Sequence, residues 1–85
     1  MNMPSQHKML KMTPAQCRAG RALLDMTQPD LARAAKLGLS TVVDFERSRR
    51  VVSEEAREAL QLALEAADIE FTNGEQPGVR LRKGA

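Results

Sequence analysis

Aromatic residues are nearly absent from this 85-residue chain, which has two Phe, no Tyr and no Trp. A core poor in them must be assembled from Leu, Val and Ala, which suits small, closely packed helices better than a β-sandwich. Cysteine is down to one, Cys17, so no internal disulfide forms and a reducing cytoplasm is the expected setting. One His and one Cys do not make an ordinary zinc site. No apolar run approaches the ~20 residues of a membrane span, and the opening stretch MNMPSQHKMLKM lacks the apolar segment of a secretory signal. Phosphate-binding glycine loops are missing as well. The lone histidine, His7, stands in the opening stretch with no nucleophile beside it, so no enzyme, metal or cofactor is expected.

What the chain does contain is an ordinary globular balance, 42% hydrophobic and 28% charged, long enough for one domain around one modest core. Its charge is divided along the length. Residues 1–53 hold nine Lys/Arg against four acids, a net +5. Residues 54–79 hold one Arg against seven acids, a net −6, and Arg80, Arg82 and Lys83 follow. A basic front and an acidic back suit a one-sided polyanion binder, although solvated helix faces show the same pattern.

Helix signals recur at close intervals. After a mobile lead over residues 1–12, Thr13-Pro14-Ala15-Gln16 supplies an N-cap, a first-turn proline and the closing residue of a capping box, with Met12 and Cys17 as the staple. This predicts a first helix over residues 14–24, with Cys17 as a small buried hydrophobe rather than a reactive thiol. Thr27 and Asp30 repeat the box, with Met26 and Leu31 as staple, for a helix over 28–35. A third helix is expected over 39–47, and a fourth from the Ser53 cap to about Ala67, on the spacing of Ala56, Leu60, Ala63 and Leu64. The period then changes. Ile69-Glu70-Phe71-Thr72 and Val79-Arg80-Leu81-Arg82 alternate around Asn73-Gly74, which predicts a β-hairpin with a loop at 73–78. The expected fold is therefore mainly α, four helices closed by a short C-terminal hairpin.

The second and third helices form a pair. Leu31, Ala35, Leu37, Val42 and Phe45 fall where two short crossing helices need core contacts. Ala32 stands where their axes come closest, and Lys36-Leu37-Gly38 reads as a tight turn. That is a helix-turn-helix, whose second helix fits the DNA major groove.

Arg21, Thr27-Gln28, Leu31-Ala32, Ala35, Leu37, Ser40-Thr41-Val42 and Phe45-Glu46-Arg47 together resemble the Cro/lambda-repressor (XRE) family of bacterial and phage DNA-binding domains. The tail is similar to a subgroup of small bacterial regulators that end in a strand pair. The resemblance implies a lambda-repressor-like helix-turn-helix domain over 13–68, with a hairpin and tail over 69–85. It places Gln28 against a phosphate or in support of a base contact, and Arg21 and Glu46 as an ion pair bridging the first helix to the third. Leu39, Ser40, Thr41, Val43, Asp44 and Arg47 become the groove-facing residues. Leu39 suits thymine methyls, Ser40 several base edges, and Asp44 a cytosine amino group, at the expense of repelling phosphates. Arg47, Arg49 and Arg50 suit the backbone. Three positions depart from the family pattern: Lys36 replaces the usual Gly, Gly38 the usual Ser cap, and Leu39 a long polar residue.

The function implied is a sequence-specific, DNA-binding transcription regulator of bacterial type, a repressor acting on double-stranded DNA as a homodimer in the cytoplasm, on the nucleoid. Ile69, Phe71, Val79 and Leu81 are the dimer candidates, unless the hairpin simply caps the fourth helix within one chain. The alternative function is an antitoxin-like or bridging module that uses the same fold against a protein partner encoded by an adjacent gene, with the acidic fourth helix as its surface.

Overall fold

In the computed structural model, which describes residues 11–73 and 76–82, local chemistry starts each helix. Thr13 Oγ1 accepts from the Gln16 amide at 3.1 Å while Gln16 Oε1 accepts from the Thr13 amide at 2.9 Å, which opens α1 (Pro14–Leu24). Thr27 and Asp30 make the same reciprocal pair at 3.1 Å each way and open α2 (Gln28–Ala35). α3 (Leu39–Glu46) starts from Gly38, which has no side chain to cap it. Ser53 Oγ accepts from the Ala56 amide at 3.0 Å to begin α4 (Glu54–Ala66). β1 (Ile69–Thr72) and β2 (Gly78–Leu81) form an antiparallel pair, with Ile69 opposite Leu81 and Phe71 opposite Val79. No helix among the described residues is long and apolar enough to cross a membrane.

The first three helices end alike, each with a left-handed residue that is not glycine. Asp25 (φ 54°), Lys36 (φ 60°) and Ser48 (φ 55°) take that position. The next amide then reaches back five residues: Met26 to the Arg21 carbonyl, Leu37 to Ala32, and Arg49 to Asp44, at 2.8–2.9 Å. This Schellman closure satisfies carbonyls that the helix end would leave bare. It also stops α3 at Glu46, one residue before the expected end. Lys36 carries the left-handed strain that glycine would avoid.

Met12, Cys17, Leu31, Ala32, Val42, Phe45, Leu60, Leu64 and Ile69 form one buried cluster drawn from α1–α4 and β1. Met12 corrects the expected boundary of the lead. Its side chain is 2% exposed, its amide reaches Gln61 Oε1 at 3.4 Å, and Lys11 pairs with Glu54 at 3.2 Å. The domain therefore includes residues 11 and 12, because the staple needs Met12 over Cys17; residues 1–10 of the expected lead lie outside the described residues.

The hairpin takes the second of its two expected roles. Ile69 is 2% exposed inside the core, and Phe71 and Val79 are half-buried against it, so Ile69 is filled and the other two dimer candidates are partly covered within their own chain. Leu81 alone stays substantially exposed, at 37%. The opposite face carries Glu70 and Arg80, joined at 3.0 Å. A lone two-stranded ribbon is marginal in water; here Gln16 Nε2 donates to both the Thr72 carbonyl (2.8 Å) and the Gly78 carbonyl (2.9 Å). One buried amide thus clamps both strands to α1.

Gly20 lies buried where α1 meets the hairpin. A Cβ there would stand 3.5 Å from Ile69 Cγ2 and 3.5 Å from Leu64 Cδ1, ordinary contact distances. Mid-helix glycine costs roughly 0.5–1 kcal/mol relative to alanine. Gly20→Ala is therefore expected to raise the melting temperature by about 2–6 °C; a lower one would mean that α1 and the hairpin cannot accept a methyl between them.

Candidate nucleic-acid interface

Helix α3 divides cleanly by face. Val42, Phe45 and Glu46 are buried, Leu39, Ser40 and Arg47 are exposed, and Val43 and Asp44 are half-buried between them. The strip Leu39, Ser40, Val43, Asp44 and Arg47 therefore runs along the outer side, as helical spacing requires. Thr41 is half-buried on the flank, its amide bonded to the Gly38 carbonyl at 3.1 Å. Leu39 leaves 46% of its surface exposed. Ala32, 5% exposed, lets α2 and α3 approach closely.

The orientation of this strip is set from behind by Glu46, whose carboxylate is 1% exposed. Arg21 grips it with two bonds, Nε to Oε2 and Nη2 to Oε1, each 2.7 Å. Gln28 Nε2 adds a bond to Oε1 at 3.0 Å, and the Cys17 thiol donates to Oε2 at 3.1 Å. Each oxygen thus accepts twice. Arg18 donates to the Glu46 main-chain carbonyl, and Arg21 Nη1 reaches the Met26 carbonyl at 3.0 Å. One carboxylate joins α1, the start of α2 and the end of α3.

The ionisation follows from that geometry. Burial alone would push the Glu46 carboxyl up, but the bonds from Arg21, Gln28 and Cys17 outweigh it and hold the group below the usual carboxylate range. The bond to Glu46 raises the Arg21 guanidinium against the opposing effect of burial. Burial, reinforced by Glu46, drives the Cys17 thiol strongly up, so it stays protonated and serves as a donor.

The structure brings Arg21 and Glu46 together as expected and gives Gln28 a partner the sequence did not suggest. Its amide is committed to Glu46, behind the strip. Cys17 as a donor was also missed, although its separation of four from Arg21 on one helix was a readable sign. At the other end of α3, Arg49 and Arg50 do not project freely. Arg50 Nε lies 2.8 Å from Asp44 Oδ2, and Arg49 Nη1 lies 3.9 Å from Oδ1. Arg47 makes no ion pair among the described residues. Among the same residues, no group of three or more His, Cys, Asp or Glu is placed to hold a metal ion.

Comparison of the chain with models of known protein families, and with characterised proteins, finds no match.

Proposed function

We propose that the protein is a sequence-specific, DNA-binding transcription regulator of the Cro/lambda-repressor type, a repressor that inserts α3 into the major groove and has no catalytic role. The observation that carries this is the split character of α3. Its inner face is anchored by Glu46 and the core, while its outer strip ends in three arginines, at 47, 49 and 50. A rigid helix presenting short polar and apolar side chains beside cations suits base edges flanked by phosphates.

One such helix covers only a few base pairs, so a homodimer over half-sites about 34 Å apart is the working form. The hairpin edge supports the pairing. Arg82 N donates to the Asp68 carbonyl at 2.7 Å, which sets the bonded pairs at 68/82, 70/80 and 72/78. By alternation, the main-chain groups of Val79 and Leu81 then point away from β1. A second copy can add along that edge beside Leu81. Leu81→Lys is expected to convert the dimer to a monomer in analytical ultracentrifugation with little change in melting temperature; a persistent dimer would remove the hairpin from the interface.

The proposal is tested by selecting bound sequences from random duplex DNA at two salt concentrations. An enriched motif, with affinity falling steeply as salt rises, is the expected outcome. The absence of enrichment together with salt-insensitive binding would overturn it. Leu62, 64% exposed on acidic α4, favours the second reading, a surface for a protein partner; it gains if no duplex is bound.

A further inference from the structure

Asp44 is the only acid on the outer strip of α3, one turn beyond Ser40 and three residues before Arg47. Its pairing depends on how the helix ends. Ser48 turns left-handed, and the Arg49 amide returns to the Asp44 carbonyl at 2.8 Å. This closure folds the following residues back over the last turn. Arg50 Nε then sits 2.8 Å from Oδ2, and Arg49 Nη1 lies 3.9 Å from Oδ1. The arginine side chains are 53% and 59% exposed, that of Asp44 only 21%. Two cations best placed to grip DNA phosphates are therefore shared with a carboxylate from the face that would read bases.

Building on the DNA-binding reading above, we propose that Asp44 is a specificity-determining counter-ion. It holds Arg50, and with it Arg49, off the DNA backbone until a cytosine amino group in the major groove takes over the carboxylate. A guanidinium shared with this carboxylate offers a phosphate fewer free donors and less net charge. Solvent-exposed ion pairs are weak, so the exchange itself is easy. Its consequence depends on the base beneath. Over cytosine, N4–H donates to the freed carboxylate and the arginines pass to the phosphates; adenine also offers an amino donor, but beside its N7 acceptor, which repels the carboxylate. Over a base with only acceptors there, the carboxylate would face phosphates unpaired, so the arginines stay where they are. Wrong sequences lose affinity while the right one keeps it.

Asp44→Asn preserves the shape and removes the charge. Full-length wild type and variant are titrated onto a mixed-sequence duplex and onto the selected duplex at several salt concentrations. Melting temperatures are compared to confirm that both fold. The variant is expected to bind mixed-sequence DNA about three- to tenfold more tightly, with a salt slope steeper by about 0.9 for each arginine released. The selected duplex should show no such gain, so the ratio between the two falls. Adding Arg50→Ala should erase the gain, whereas Arg50→Ala alone should barely alter mixed-sequence binding. Unchanged or weaker mixed-sequence binding by Asp44→Asn would overturn the proposal, as would an equal loss from Arg50→Ala in both backgrounds. Either result leaves the DNA-binding reading standing provided the wild type binds the selected duplex. If neither chain binds any duplex, both readings fall.

Discussion

Glu46→Ala is expected to lower the melting temperature by about 10–25 °C, the largest stability change of any acidic substitution among the described residues. The reason is what the substitution leaves behind. Arg21, its side chain 18% exposed, loses the carboxylate that accepts two of its bonds. The Gln28 amide and the Cys17 thiol lose their acceptor in the same step. Removing one member of a buried pair generally costs about 3–5 kcal/mol. The residual exposure of Arg21 brings this towards about 2–4 kcal/mol, and each kcal/mol shifts a domain of this size by about 4–8 °C. Exposed Glu58→Ala, measured alongside by circular dichroism, should stay within about 0.5 kcal/mol of wild type. Equal melts for the two variants would mean that the network holds nothing together.

The pH dependence has a definite sign. Because the Glu46 carboxyl is held below its ordinary range in the folded chain, its contribution is fully present above the unfolded value of about 4.3. It is lost as pH falls through the depressed folded value. Glu46→Gln should therefore melt below wild type at neutral pH and converge with it in acid. A gap that widens on acidification would reverse this assignment.

The second large effect is on binding. Replacing Leu39 and Ser40 together by Glu is expected to lower affinity for the selected duplex by at least about 100-fold, from lost base contacts of about 1–3 kcal/mol each plus repulsion by phosphates. The same substitution should not harm the fold. Both residues are exposed in the first turn of α3, where acidic side chains interact favourably with the helix dipole. Unchanged binding at a preserved melting temperature would move the interface away from α3. Arg47→Ala should act differently, weakening all duplexes alike and reducing the salt slope by about 0.9 for its one phosphate.

Much of the fold was legible because its signals are short-range. Both threonine capping boxes, Ser53 and the staple of Met12 and Cys17 stand within five residues of their partners. The alternation of Ile69, Phe71, Val79 and Leu81 announced the strand pair and, in the structure, its register. The spacing of Val42 and Phe45 against Leu39, Ser40, Val43 and Arg47 already separated the inner face of α3 from the outer one. The Arg21–Glu46 pair came from the family resemblance. Periodicity marked the strand face of Ile69, Phe71 and Val79 as apolar but left open whether a second copy or the chain's own helices would fill it.

The sequence by itself thus determined where the helices and the first strand begin, which faces turn inward and which residues point outward on α3; β2 starts at Gly78, one residue before the expected Val79, because Gly78 pairs with Thr72. Caps and apolar periods are properties of a few neighbouring residues, and they act before the chain folds back on itself. Beyond the caps and the Arg21–Glu46 pair, tertiary structure decided where the polar side chains went. Gln16 kept its cap bond through Oε1 and donated from Nε2 to carbonyls 56 and 62 residues away. Gln28 and Cys17 turned to Glu46, and Arg49 and Arg50 came back to Asp44 through the left-handed Ser48. A polar group has many acceptable partners in sequence, and packing brings only one or two of them within about 3 Å. The direction of α3 and the electrostatics of its outer face follow from those few selected contacts.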